Sequence, residues 1–239
     1  MTVSGRVASY IALLALAVSP HCPAEAQSPA QEAPAVDPGI NTYYEDPDIA
    51  RWRYVFESPA REIFAHRFRI VQATRLESGM SVADVGAGTG FFAVLLARAV
   101  GPMGKVYAVD VSERFLEYIR WRASEEYRVD NVETIHNDQR GTGLPPDSID
   151  LVFMCDTYHH LEHPRAMLDS IAEALREDGE LVLIDYRRIP GVSSDWVMTH
   201  VRASKEEVIA ELREAGFDLV EEQDFLRENY FLRFLKRPK

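Results

Sequence analysis

With 239 residues, 46% of them hydrophobic and 27% charged, the chain has the balance of an ordinary globular protein, which excludes disordered, collagen-like and coiled-coil classes. The length suits one domain with additions. Asp plus Glu number 38 against 26 Lys plus Arg, a net charge of −12, so the field of the molecule repels phosphate backbones and no nucleic-acid partner is expected.

The first 26 residues differ from the rest. Arg6 supplies a positive start, Val7 to Val18 an uncharged, mostly apolar run, and Ala24-Glu25-Ala26 the small residues that signal peptidase inspects. The run is well below the roughly 20 residues that span a bilayer, so residues 1–26 read as a Sec leader cleaved before Gln27, with no stable membrane span afterwards. A periplasmic or secreted protein is expected, with a cytoplasmic one as the alternative. Cys22 follows Ser19-Pro20-His21, a poor lipobox, and cleavage leaves Cys155 as the one cysteine. Removing Arg6 and Glu25 leaves the charge at −12.

Residues 27–42, rich in Pro, Ala and Gln without a periodic apolar face, read as a disordered linker. Residues 43–239 form the domain. Its entry is helical, with Trp52, Val55 and Phe56 on one side, and Tyr43-Tyr44, Trp52-Arg53-Tyr54 and Arg61 could roof a crevice. A second helix is expected with Ser58 as N-cap and Pro59 at the first position, ending near Gly79. Past Gly79, short apolar runs alternate with amphipathic segments, which predicts a parallel sheet covered on both faces. The strands are Ser81–Val85, Lys105–Val109, Val132–His136, Ile149–Cys155, Glu180–Ile184, Leu219–Gln223 and Tyr230–Leu235, and helices are expected near Phe91–Val100, Glu113–Tyr127 and Pro164–Arg176. Ser204-Lys205-Glu206-Glu207 is a capping box for a helix that stops at Gly216. The last two strands follow each other without a helix, so the final one inserts antiparallel.

Asp84-Val85-Gly86-Ala87-Gly88-Thr89-Gly90 joins the first strand to its helix, a loop that lets a ligand approach backbone and helix N-terminal amides closely. Phe91 stands where a dinucleotide fingerprint wants a small residue, which disfavours NAD and FAD. Carboxylates also follow the next four strands: Asp110, Asp138, Asp156 and Asp185. In a doubly wound sheet such ends converge on one crevice.

Val82-Ala83-Asp84-Val85-Gly86-Ala87-Gly88-Thr89-Gly90, Val109-Asp110, Leu144-Pro145 through Ile149-Asp150-Leu151-Val152, and Leu175 through Leu181 together resemble the class I S-adenosylmethionine-dependent methyltransferases, including uncharacterised bacterial members with signal peptides. The resemblance implies a doubly wound, mostly parallel seven-stranded Rossmann-like sheet with the last strand antiparallel, S-adenosyl-L-methionine as cofactor, and a small-molecule methyl acceptor. It further implies that Gly86, Gly88 and Gly90 pack the methionine end, Asp84 organises their loop, Asp110 takes both ribose hydroxyls, and Asp138 faces the adenine amino group with Gln139 beside it. Asn137-Asp138-Gln139-Arg140 departs from the family in its bulk.

Methyl transfer from a sulfonium needs a base only when the acceptor loses a proton. Three of the seven histidines fall in Asp156-Thr157-Tyr158-His159-His160-Leu161-Glu162-His163, after the fourth strand, and His200 lies in the connection after the fifth. His159, His160 and His200 are the candidate catalytic residues. A metal set drawn from Asp156, His159 or His160, Asp185 and His200 is scattered and lacks a helical ligand spacing, so no metal is expected. The rival reading is an exported nucleoside-binding or metal-dependent protein that reuses the fold without methyl transfer.

Overall fold

A computed structural model describes residues 1, 2 and 32–238. The expected leader and the first part of the expected linker fall outside these, apart from Met1 and Thr2. In chain order the described elements are α1 (Thr42–Glu45), α2 (Ile49–Phe56), α3 (Glu62–Ala65), α4 (Arg67–Ala73), β1 (Ser81–Val85), α5 (Phe91–Val100), β2 (Lys105–Asp110), α6 (Glu113–Trp121), β3 (Val132–His136), β4 (Ile149–Cys155), α7 (Pro164–Ala174), β5 (Leu175–Tyr186), α8 (Asp195–His200), α9 (Lys205–Glu214), β6 (Phe217–Gln223) and β7 (Asn229–Lys236). The strands form one sheet in the order β3-β2-β1-β4-β5-β7-β6, parallel throughout except that β7 runs antiparallel to both β5 and β6.

Alternation along the strands builds two cores. Leu151 and Phe153 face a cluster with Leu96, Ala97 and Val100 of α5, whereas Val152 and Met154 face one with Leu168 and Ile171 of α7 and Leu212 of α9. The central strands are apolar without a break because both faces are covered. Helix starts follow their capping chemistry: Asp48 accepts from the Arg51 amide, Ser112 from Phe115, and Ser204 and Glu207 close the expected capping box.

Four local expectations are corrected. The helix expected from Pro59 starts only at Glu62 and breaks at His66. Ser58 instead closes a turn, its carbonyl accepting from Arg61 at 2.9 Å, while Glu62 accepts from the amides of Arg227, Glu228 and Asn229 across the domain. The helix expected over Glu113–Tyr127 is α-helical to Trp121 and continues as a wider π turn over Arg122–Tyr127. The fifth strand begins at Leu175, where α7 stops, because Leu175 already pairs with Ile149. Residues 32–41, read as disordered linker, are docked: the Glu32 carboxylate accepts from the Arg165 and Ala166 amides at the start of α7, the Ala35 amide donates to Glu162, and Asn41 is buried.

Candidate active site

The strand order reverses between β1 and β4, and in an open parallel sheet a ligand crevice forms outside the strand ends at such a point. A cleft of about 1040 Å³, open solvent included, lies there. One half of its lining is backbone and carboxylate from the ends of β1 and β2; the other is side chains from β4 and the segments packed over it.

In the first half the loop after β1 folds back on the neighbouring strand, the amides of Gly86 and Ala87 both donating to the Val109 carbonyl. Gly86 has φ +76°, and a Cβ there would lie 2.3 Å from the Thr157 methyl. Only glycine fits both the left-handed backbone and that neighbour. Gly90, φ +71°, opens α5 and would collide with Ile119 if substituted, so it packs the helix and does not line the cleft as Gly86 and Gly88 do. Asp110 accepts from the Gly88 amide (2.8 Å) through Oδ2 and from the Ser112 amide (2.9 Å) through Oδ1, one donor per oxygen. A lone-pair direction on each oxygen is therefore left for a ligand. Asp84 is buried and its Oδ2 has no hydrogen-bond partner among the described residues. Burial, and secondarily the neighbouring Asp110 charge, pushes its carboxyl up to about 7; burial also raises Asp110 to about 6.

Asp138 is placed differently from the expectation. It is exposed, and its Oδ1 accepts from the Arg140 and Gly141 amides in a local turn. Asn137 and Gln139 line the cleft on either side of it. The chain turns at Gln139 and Arg140, and the Asp138 carboxylate is spent on closing that turn while Asn137 and Gln139 face the cleft.

In the second half Asp156 ends β4 with φ +50°, held by an ion pair with Arg61 and by the Asn229 amide at 2.6 Å. His159, almost fully buried, is anchored twice to Asp185: its backbone amide donates to Oδ2 (3.0 Å) and its ring Nδ1 pairs with Oδ1 (2.6 Å). Desolvation lowers the His159 pKa, but the Asp185 charge and hydrogen bond, with Asp156, outweigh it and the net shift is upward. His160 lines the cleft, and burial together with repulsion from His159 and His200 drives its pKa down to about 2. His200 arrives from the end of α8, its ring 5.3 Å from that of His159 and 5.0 Å from that of His160, stacked on Trp196 at 4.5 Å. All three expected histidines thus meet, although His200 is 40 positions from its nearest partner.

A roof closes the cleft. Tyr44, Trp52 and Phe56 form an aromatic ladder, with centroids 4.6 and 5.1 Å apart, that meets His160 at one end and Phe115 at the other. Of the other expected lid residues, Tyr43 and Tyr54 point to solvent. The roof is tied to the floor through Arg122, whose fully buried guanidinium pairs with both oxygens of Glu57 at the end of α2 (2.7 and 2.8 Å) and donates to the Thr89 carbonyl (3.0 Å). Asn41, Glu57, Arg122 and Asn229 carry no motif, and sequence reasoning does not reach them. For Arg122 the signal was only a charge within a helix whose other face is polar.

The fold and cleft define a class I methyltransferase. The family described as "Methyltransferase domain" matches residues 76–229, and the chain belongs to it. A demethylmenaquinone methyltransferase from Listeria monocytogenes is 29% identical over 127 residues, covering 52% of this chain and 53% of that protein. The ubiquinone/menaquinone biosynthesis C-methyltransferase of Hahella chejuensis is 25% identical over 118 residues, 49% and 47% of the two chains. The chain thus spans about half the length of the curated relatives it matches. A crystal structure of a SAM-dependent methyltransferase from Aquifex aeolicus superposes with a TM-score of 0.66 at 26% identity, covering 84% of this chain and 99% of that one.

S-adenosylmethionine is the cofactor of this family and fold, and the cleft suits it. The orphaned Asp84 oxygen answers a cationic amino-acid end, the spare lone pairs of Asp110 a ribose diol, and the Asn137 and Gln139 side chains an adenine edge.

Proposed function

We propose that this protein methylates a small-molecule acceptor that enters the cleft between the aromatic roof and the histidine wall. The observation that carries the reading is the convergence of two buried carboxylates, one with an oxygen unpartnered among the described residues and one with a free lone pair per oxygen, on a glycine loop at the point where the sheet reverses. Gly86 and Gly88 leave room for the methionine end, Asp84 receives its ammonium group, Asp110 the ribose hydroxyls, and Gln139 with Asn137 the adenine. Gly90 shapes the loop from behind, and Asp138 holds the turn that presents its neighbours.

S-adenosylmethionine supplies an electrophilic methyl group on a sulfonium. What this chain's residues contribute is alignment of the acceptor, exclusion of water and uptake of the acceptor's proton. Tyr44, Phe56, Leu161 and Met167 line the cleft with apolar surface suited to an aromatic or apolar acceptor body, and the relatives named for demethylmenaquinone support an acceptor of that kind. His160 on the cleft wall, backed by His159 and His200, activates the acceptor, with Asp185 positioning His159.

Calorimetry on the full chain with S-adenosylmethionine and S-adenosylhomocysteine, followed by radiolabelled methyl transfer to a panel of phenols, thiols and quinols, tests the reading. Binding of both and label on one acceptor class is expected; absence of binding by either overturns it. We further propose that the chain is exported and cleaved after Ala26, as the pattern of residues 1–26 supports. Mass spectrometry of protein from the cell envelope is expected to give an N-terminus at Gln27, whereas an intact terminus confined to the cytosol overturns export.

A further inference from the structure

The three histidines of the acceptor wall do more than meet. Each offers one ligand atom, and these atoms lie within 4.8 Å of one another; among the described residues this is the group of His, Cys, Asp or Glu side chains close enough to hold a metal ion. The hydrogen bonds around the rings decide which nitrogens face the centre.

His159 Nδ1 is 2.6 Å from Asp185 Oδ1. A buried carboxylate only accepts, so His159 carries its proton on Nδ1 and keeps a lone pair on Nε2. For His160 the same conclusion follows through an amide. The Asn41 NH2 group donates to the His160 carbonyl (3.1 Å) and to Glu162 Oε1 (3.0 Å), which fixes the amide orientation and leaves Asn41 Oδ1 as an acceptor. Since His160 Nδ1 lies 3.1 Å from that oxygen, it too is the protonated nitrogen. Neither Nε2 has a hydrogen-bond partner among the described residues. His200 Nε2 is buried and likewise has no partner among the described residues.

We propose that His159, His160 and His200 bind one divalent transition-metal ion of the zinc class through their Nε2 atoms, with Asp185 and Asn41 as the outer partners that orient two of the rings. A second partner on the far nitrogen is the arrangement that metal-bound histidines need, because it fixes the tautomer and raises the donor strength of the ligand nitrogen. Three imidazoles with no carboxylate in the ligand set favour zinc, iron, nickel or copper over magnesium or calcium. Nitrogen ligands at about 2.0–2.1 Å from a tetrahedral ion stand roughly 3.3 Å apart, so small ring rotations close the triangle. Three protein ligands leave a position open, as in hydrolytic and hydrating zinc sites, and His160 puts the ion at the wall of the cleft. The site deepens the reading of the histidine wall given above: a metal ion held there would bind an ionisable oxygen or sulfur of the acceptor and favour loss of its proton. The expectation that no metal is used rested on spacing along the chain. Asp156 and Asp185 are indeed committed elsewhere, and it is the fold that completes the set with His200.

The experiment uses the full chain, stripped with a chelator, dialysed and titrated with zinc chloride by calorimetry, with cobalt absorption as a second signal for nitrogen coordination. One ion per chain is expected. His160→Ala and His200→Ala should each weaken binding by about 100-fold or more, and Asp185→Asn by about 10–100-fold. His66→Ala, which removes a histidine remote from the cluster, should bind as the parent does. S-adenosylhomocysteine affinity within about threefold of the parent certifies that a variant is folded, and if His160→Ala fails that check His200→Ala decides. A chain that binds S-adenosylhomocysteine but takes up no zinc or cobalt overturns the site and leaves the methyltransferase reading standing. So does a chain whose uptake is unaffected by His159, His160 and His200 all changed to Ala. Zinc bound at the histidines with no affinity for either cofactor form overturns the methyltransferase reading and leaves the site.

Discussion

The two halves of the cleft are built in different ways. The half at the ends of β1 and β2 is a continuous stretch of chain whose backbone amides and two carboxylates do the binding, and its partners are all within 26 positions of one another, from Asp84 to Asp110. The half at the ends of β4 and β5 is a convergence of side chains: Asn41, Arg61, His159, His160, Asp185, His200 and Asn229 come from six separate segments. A backbone cradle tolerates much variation in the side chains around it. A side-chain constellation does not, and it is where a member of a large family acquires its own chemistry.

If the halves are separable, substitutions in one should leave the other's observable alone. The largest effect is expected on turnover. Alanine at His159, His160 or His200 should lower methyl transfer by roughly 10²–10⁴-fold while S-adenosylhomocysteine affinity stays within about threefold, measured by radiolabel transfer and calorimetry on the same preparations. Parent-like turnover in all three variants would make the wall structural and leave alignment to carry the reaction. The converse variant, Asp110→Ala, should weaken S-adenosylhomocysteine by about 2–4 kcal/mol, since two charge-assisted hydrogen bonds are lost and water recovers part of them. Zinc uptake by that variant should match the parent; a joint loss would show that the halves fold as one unit.

The cradle also carries a stability cost that depends on pH. Asp84 and Asp110 have carboxyls raised to about 7 and about 6, burial being the main cause in both. Between the unfolded carboxylate range near pH 4 and these values, the folded chain holds protons that the unfolded chain has released. Their contribution therefore makes stability fall as pH rises through that window. Asp84→Asn, of equal size and uncharged, should stabilise the cofactor-free protein by about 1–3 kcal/mol at pH 8 and by nothing below pH 4, while weakening S-adenosylhomocysteine at least tenfold. Melting curves across pH check the first part. A variant less stable than the parent at pH 8 would mean that the Asp84 carboxylate organises the loop, as the family resemblance implies, more than it awaits a cation.

The smallest effect concerns the roof. Glu57→Gln keeps the shape of the Arg122 contact but removes the charge that pairs this buried cation, and should lower the melting temperature by several degrees and speed S-adenosylhomocysteine release by about three- to tenfold in stopped flow. An unchanged release rate would detach the roof from the cradle.

The same contrast explains what was legible in the sequence. The seven strands, the glycine loop and Asp110 could be read because each is a local pattern, a run of alternating or continuous apolar residues or a motif at a strand end. The Ser58-Pro59 helix start misled because Glu62 serves backbone amides 165 to 167 positions away, a demand that no local pattern displays. Residues 32–41 have a linker's composition yet are docked by single polar contacts, Glu32 on α7 and Asn41 on His160. Asp138 closes a tight turn beyond β3, a use that an aspartate after a strand does not reveal in the sequence. His159, His160 and His200 could be grouped from their places after the fourth and fifth strands; that their ligand atoms come within 4.8 Å of one another, and that Asp185 and Asn41 select the tautomers of two of them, is a property of the folded chain alone.

Arg122 gives the roof a latch. Its guanidinium is fully buried and takes its closest counter-charge from Glu57 at the end of α2, while the Thr89 carbonyl and the Tyr127 hydroxyl accept from below and Glu126 stands further off at 3.9 Å. Raising α2 strips the counter-charge from that cation, and leaving a buried charge unpaired costs about 3–5 kcal/mol. Any opening of the roof over the cleft therefore works against this latch, which holds α2 down on the loop that follows β1.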